Sequence, residues 1–177
     1  LYTYMIYICE IRFFSMVTMT HKDLDYRPKI ALYQPDIPQN TAAIIRTCAC
    51  LGAYLEIIEP CGFLLNDKRL KKVAMDYMDI KNITFYQNDE KFFESKKNSR
   101  VILMTTKSKK LYTEFKYKTN DTLLFGRESA GVPTKIHDKV KYRLKIPMYK
   151  KMRSLNLSTS VSIVLAENLR QTKYLNG

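Results

Sequence analysis

From Lys29 the chain reads as an apolar strand, KIALYQ, then a helix beginning near PQNTAAIIRTCACLG, then a second strand, AYLEIIEP. This β-α-β opening constrains the fold more than any other feature, because the rest of the chain keeps its rhythm. Short apolar runs recur at ITFY (83–86), RVILMTT (100–106), TLLFG (122–126) and YRLKIPM (142–148), with helical or charged links between them. A long C-terminal helix is predicted from about Leu155. Strands that alternate with helices imply an α/β fold with a mainly parallel sheet. The most charged link, NDEKFFESKKNSR (88–100), reads as a short helix and a surface loop, and no repeat, low-complexity tract or long flexible linker divides the chain. At 177 residues and 46% hydrophobic composition, one domain with a well-buried core is the natural reading, and it is placed at 29–177.

The 30 Lys and Arg residues outnumber the 17 Asp and Glu, giving a formal charge of +13. That excess is of the sign that attracts phosphate polyanions, so nucleic acid is the leading partner class. Within residues 1–28, Arg12, Lys22 and Arg27 are balanced by Glu10, Asp23 and Asp25, and the whole excess belongs to the predicted domain. The bland alternative is a lysine-rich composition spread over a solvated surface, and charge alone does not decide between the two.

The four cysteines, Cys9, Cys48, Cys50 and Cys61, form no C-x-x-C pair, and only His21 and His137 could add imidazole ligands. No metal site is expected, and reduced thiols in a cytoplasmic protein are. The segment LYTYMIYICEIRFFSMVTMT is interrupted by Glu10 and Arg12 and lacks both a basic start and a small-residue cleavage site. It reads as neither a signal peptide nor a membrane span. Residues 1–28 are expected to be an N-terminal extension and, because the chain begins with Leu1, its first part is expected to lie upstream of a true start at Met16 or Met19.

In open α/β sheets, ligands bind beyond the carboxyl ends of the strands. Three loops qualify. In PDIPQNTAAIIR, Asn40 or Thr41 is predicted to cap a helix, with Arg46 about a turn and a half further on. In LLFGRESAGVP, Gly126 and Gly131 let backbone approach a ligand closely, although the spacing matches neither a dinucleotide fingerprint nor an NTPase loop. In KIPMYKKMRSLNLSTSV, Ser154, Asn156 or Ser158 is a candidate cap, and Lys150, Lys151 and Arg153 stand just before the helix, where an anion would meet amides and cations together. Each loop alone is also explained by capping and turn geometry.

Together and in this order, the three motifs resemble those of the SPOUT superfamily of knotted RNA methyltransferases, and more closely its short bacterial tRNA 2′-O-methyltransferases that act on the wobble nucleotide. The resemblance runs from about Lys29 to Gln171. It implies a compact α/β domain whose C-terminal chain forms a deep trefoil knot, S-adenosylmethionine bound in that knot, and a homodimer whose active site draws on both subunits. It implies transfer of a methyl group to the ribose 2′-hydroxyl of cytidine or uridine 34 of tRNA. Another tRNA position or ribosomal RNA would keep the chemistry, and a non-catalytic RNA-binding module would keep only the fold.

By the same resemblance, Met104, Gly126, Ile146, Ser154 and Leu155 hold the cofactor, and Asn40, Arg46, Glu128 and Asn156 are the polar positions of the chemistry. Arg46 is expected to reach the site from the opposite subunit. A guanidinium stays protonated, which favours phosphate positioning or help to a forming alkoxide over proton removal. Glu128 is expected to fix an arginine or the turn, with a general-base role left open. Two departures from many relatives stand out: Ala42 where they have Gly, and Arg127-Glu128-Ser129-Ala130-Gly131 where they have Pro-Glu-Thr-Arg-Gly.

Overall fold

A computed structural model describes residues 27–64 and 82–173, so all but the last two residues of the expected N-terminal extension lie outside the described residues. The elements run β1 (Lys29–Tyr33), α1 (Pro38–Cys50), β2 (Tyr54–Ile58), β3 (Ile83–Tyr86), α2 (Asp89–Ser95), β4 (Val101–Met104), a 3-10 turn (Tyr112–Glu114), β5 (Thr122–Phe125), α3 (Thr134–Lys139), β6 (Tyr142–Leu144) and α4 (Leu157–Thr172). The six strands form one sheet in the order β3-β2-β1-β5-β4-β6, and each neighbouring pair is parallel. The α/β reading with a parallel sheet therefore holds.

A parallel sheet of this kind is covered on both faces, and the strand residues alternate accordingly. Ile30, Leu32, Leu55, Ile57, Ile102, Leu123 and Phe125 share one core with Ile44 and Ile45 of α1 and Val161, Val164 and Leu165 of α4. Ala31, Tyr33, Leu103 and Leu124 point the other way, against Phe92 of α2 and Ile136 of α3. Helices α1 and α4 also pack on each other.

Two boundaries differ from expectation for identifiable reasons. Helix α1 has Ile37 at its N-cap with no side-chain cap, and Pro38 opens it, since a residue without an amide proton suits a position where that proton has no helical partner. Asn40 and Thr41, predicted as caps, lie inside the helix. Strand β6 ends at Leu144 instead of running to Met148. Lys145 bridges to Leu111, with its amide donating to the Lys110 carbonyl at 2.9 Å, and Pro147 has no amide for a ladder.

The sheet order reverses beside β1: β2 and β3 extend one way, and β5, β4 and β6 the other. That is the switch point at which an open α/β sheet leaves a crevice. The chain leaves β6 at one edge and returns to α4, which packs against α1 and β5. Residues 145–156 thus pass over the carboxyl ends of β4 and β5 and close one side of the crevice.

The second face buries one charge pair. Glu56 of β2 sits among apolar neighbours and pairs with the Nζ of Lys96, while the Tyr86 hydroxyl donates to Glu56 Oε1 at 3.3 Å. Burial pushes the Lys96 ammonium pKa down, against the pull of Glu56. Removing one partner strands the other charge in the core. Lys96→Met should cost about 3–5 kcal/mol in urea unfolding, and adding Glu56→Leu should restore most of that loss.

Candidate active site

A cleft of about 540 Å³ opens at the switch point, between the ends of β4 and β5, the 126–132 loop and the 146–157 segment. Its volume lies in the range of small-molecule sites. Met104, Gly126, Ile146, Ser154 and Leu155 all line it, as do Asn40, Glu128 and Asn156. Arg46 does not: its exposed side chain leaves α1 roughly 9 Å further along the helix than Asn40, outside the lining of this subunit's cleft.

The 126–131 loop is a tight backbone device. Arg127 and Gly131 exchange two backbone hydrogen bonds, at 3.1 and 2.9 Å, and Gly131 sits at φ +69°, which glycine adopts without strain. A Cβ on Gly126 would lie 2.5 Å from the carbonyl carbon of Gly131, so only glycine lets the two halves of the loop close. Asp36, from the loop after β1, clamps this turn. Its carboxylate accepts from Arg127 Nε at 3.1 and 3.2 Å and also from Arg127 Nη2, from the Ser129 amide at 3.1 Å and from the Ser129 hydroxyl at 2.5 Å. These donors, the Arg127 guanidinium foremost, hold its pKa at about 2. Sequence reasoning missed Asp36 and Ser129; the signal available was a carboxylate between two prolines, Pro35 and Pro38, where a turn exposes it to a neighbouring loop.

Beside the clamp, a relay of side chains joins all three motifs. Glu128 Oε2 accepts from the Asp36 amide at 2.8 Å, and Oε1 accepts from Asn40 Nδ2 at 2.9 Å. Asn40 Oδ1 in turn accepts from Asn156 Nδ2 at 2.9 Å. Asn156 Oδ1 caps α4, accepting from the amides of Ser158 and Thr159 at 2.9 and 3.3 Å and from the Ser158 hydroxyl at 2.7 Å. Of the three candidate caps of α4, Asn156 is the one that serves. Glu128 joins the 126–131 turn to the loop after β1 and to Asn40, while Arg127 is held by Asp36.

His137 of α3 also lines the cleft and was not singled out from the sequence. Its Nε2 lies 3.5 Å from Thr105 Oγ1 at the end of β4. Desolvation, and then the charges of Lys107 and Arg143, push its pKa below the usual histidine value, which favours the neutral ring. Met104, Phe125, Ile146 and Leu155 supply apolar lining next to the main chain of the glycine loop, which suits a ligand with a flat apolar ring and polar edges. Among the described residues, no three His, Cys, Asp or Glu side chains are grouped to hold a metal ion, and no helix is long and apolar enough to cross a membrane.

Residues 27–166 match the SpoU rRNA methylase family. A relative from Beijerinckia indica subsp. indica, described as a tRNA (cytidine(34)-2′-O)-methyltransferase, is 42% identical over 144 residues, covering 80% of this chain and 90% of its own. A solved structure described as giving structural insights into the 2-OH methylation of C/U34 on tRNA superposes with a TM-score of 0.78 at 36% identity, covering 82% of this chain and 95% of that one. The SpoU methyltransferase AviRb from Streptomyces viridochromogenes, solved in complex with the cofactor AdoMet, shares the fold with a TM-score of 0.72 at 18% identity, covering 83% of this chain and 58% of that one.

Two outcomes follow from the loop geometry. Gly126→Ala should abolish S-adenosylmethionine binding in a calorimetric titration while circular dichroism still reports a folded chain, because the added methyl forces residues 126–131 apart. Asp36 is a carboxylate whose folded pKa is depressed, so its contribution to loop order is complete above about pH 4 and is lost as pH falls towards 2. The protection of the Ser129 amide against hydrogen exchange, corrected for intrinsic rate, should stay flat down to that point and then fall.

Proposed function

The chain belongs to the SpoU methylase family, and from that premise we propose that it methylates the ribose 2′-hydroxyl of nucleotide 34, a cytidine or uridine, in tRNA. The observation that carries this reading is the joining of Asn40, Glu128 and Asn156 in one relay at the edge of the glycine-loop cleft. Relatives that share about two-fifths of their residues over nearly their whole length act on tRNA position 34, which favours that target over the ribosomal RNA of the family's description. We place the protein in the cytoplasm, where such relatives meet their substrate.

S-adenosylmethionine, when bound, supplies an electrophilic sulfonium methyl. In the proposed mechanism the chain's own residues hold and orient. The 126–131 main chain and the apolar side chains of Met104, Ile146 and Leu155 receive the adenosine, and Ser154 closes the pocket from the 146–157 side. Asn156, its oxygen committed to the α4 cap and its Nδ2 to Asn40, has no freedom to rotate away from the cleft. Both Glu128 oxygens already accept protein donors, which suits orientation of the relay better than proton removal. A fixed array of this kind lowers the barrier mainly by placing the hydroxyl in line with the methyl.

Arg46 belongs to the same mechanism through a homodimer. Its side chain lies outside the cleft of its own subunit, and a permanent guanidinium brought by the partner would stabilise the negative charge that develops on the 2′-oxygen as its proton passes to solvent water and the methyl is transferred. The test uses labelled S-adenosylmethionine, unmodified tRNA and nucleoside analysis. Wild-type protein should place label in 2′-O-methylcytidine or 2′-O-methyluridine. Arg46→Ala and Asn156→Ala should each lose about 100-fold or more in rate. Mixed and re-formed as heterodimers, the two should recover about a quarter of wild-type activity, because half of the dimers then carry one intact site. Label transfer by Arg46→Ala at the wild-type rate would end the proposed role for that residue, and no transfer by the wild-type protein would end the reading itself.

A further inference from the structure

A second concavity, of about 470 Å³, lies beside the cleft on the β6 edge of the sheet. Ten residues line it and five of them are cationic: Lys107, Lys109, Lys110, Lys141 and Arg143. Over the whole chain Lys and Arg make up 30 of 177 residues, so a lysine-rich composition alone would place one or two in such a lining. None of the five forms an ion pair with a described carboxylate. Like charges gathered in a concave surface repel one another more than the same charges spread over a convex one, and a polyanion relieves that repulsion.

The cations are also steered. The Nζ of Lys110 stands 5.2 Å from the centre of the Phe115 ring and that of Lys141 5.6 Å from the centre of the Tyr142 ring, so aromatic faces hold these two ammonium groups at the groove. Arg143 donates from Nη1 to the His137 carbonyl at 3.1 Å, tying the groove to α3. Lys107 and His137 line both concavities, which makes the groove continuous with the cleft.

We propose that this groove is a binding track for the phosphates of the RNA strand next to the methylated nucleotide, carried by the same subunit as the cleft that nucleotide enters. The inference deepens the proposed function and rests on its reading of RNA as substrate. Phosphate contacts give affinity and register without reading sequence, so the groove would position the strand while the cleft selects the 2′-hydroxyl.

The test compares two triple variants of equal charge. Lys109→Ala/Lys110→Ala/Lys141→Ala empties the groove, and Lys91→Ala/Lys97→Ala/Lys173→Ala removes three exposed lysines outside its lining. Binding of unmodified tRNA is measured by filter retention across a salt series, S-adenosylmethionine binding by calorimetry and methyl transfer by label. The groove variant should bind cofactor like wild type. Its tRNA affinity should fall at least about tenfold, with a salt slope shallower by about two to three, as expected for three lost phosphate contacts. The control variant should change each far less. Equal losses in the two variants, or no loss in the groove variant, would overturn the track. Failure of wild-type protein to transfer label would overturn the proposed function and leave the binding comparison to decide the groove on its own.

Discussion

The hydrogen bond between Asn156 Nδ2 and Asn40 Oδ1 is the interaction on which the site depends. It joins residues 116 positions apart, one at the start of the last helix and one inside the first. Through Glu128 it draws in the glycine loop as well, so three segments that meet only because the sheet order reverses at β1 share one hydrogen-bond system. An amide suits this position because it donates from one end and accepts at the other, passing orientation along without adding charge. A carboxylate in place of Asn40 would face Glu128 as a like charge, and an apolar residue would leave Asn156 to rotate.

The Asp36 clamp does a different task with stronger interactions. A glycine-rich turn has much backbone freedom to lose, and the charge-assisted bonds from Arg127 and Ser129 hold it where Gly126 and Gly131 can approach one another. The Arg127 that leads this turn thereby acquires a structural meaning: its charge is paired with Asp36.

Most of the fold was legible because its signals are periodic. Apolar runs of four to seven residues separated by helical links fix a parallel α/β sheet whatever the details at their ends, and the runs around β1, β2, β4 and β5 each contain their strand. Boundaries were legible only where one local residue decides them. Pro38 opens α1 where the expected helical run begins, whereas Lys145 leaves the sheet to bridge Leu111, a tertiary contact that no window of sequence reports. The site followed the same division. The polar positions that the resemblance names were found in this way, whereas Asp36 and Ser129, although inside the motifs, and His137 act through partners 32 to 93 positions away in the chain. Arg46 stands apart from both groups, since the role proposed for it rests on a second copy of the chain.

The arrangement of charge follows from what the two proposed ligands require. S-adenosylmethionine carries a positive sulfonium centre and RNA carries a row of negative phosphates, so one potential cannot suit both. In the cleft, Arg127 is paired with Asp36, desolvation and the charges of Lys107 and Arg143 lower the His137 pKa, and the relay joins two neutral amides to the Glu128 carboxylate, with Arg153 as a further cation of the lining. Lysines that no described carboxylate balances gather instead in the adjoining groove, and Lys107 stands where the two meet. With a Debye length of about 8 Å at physiological salt, cations in the groove act most strongly on charges lying directly against them. Placing the unpaired lysines in the proposed track, beside the cleft, would let a strongly basic protein attract RNA with less repulsion of the cofactor.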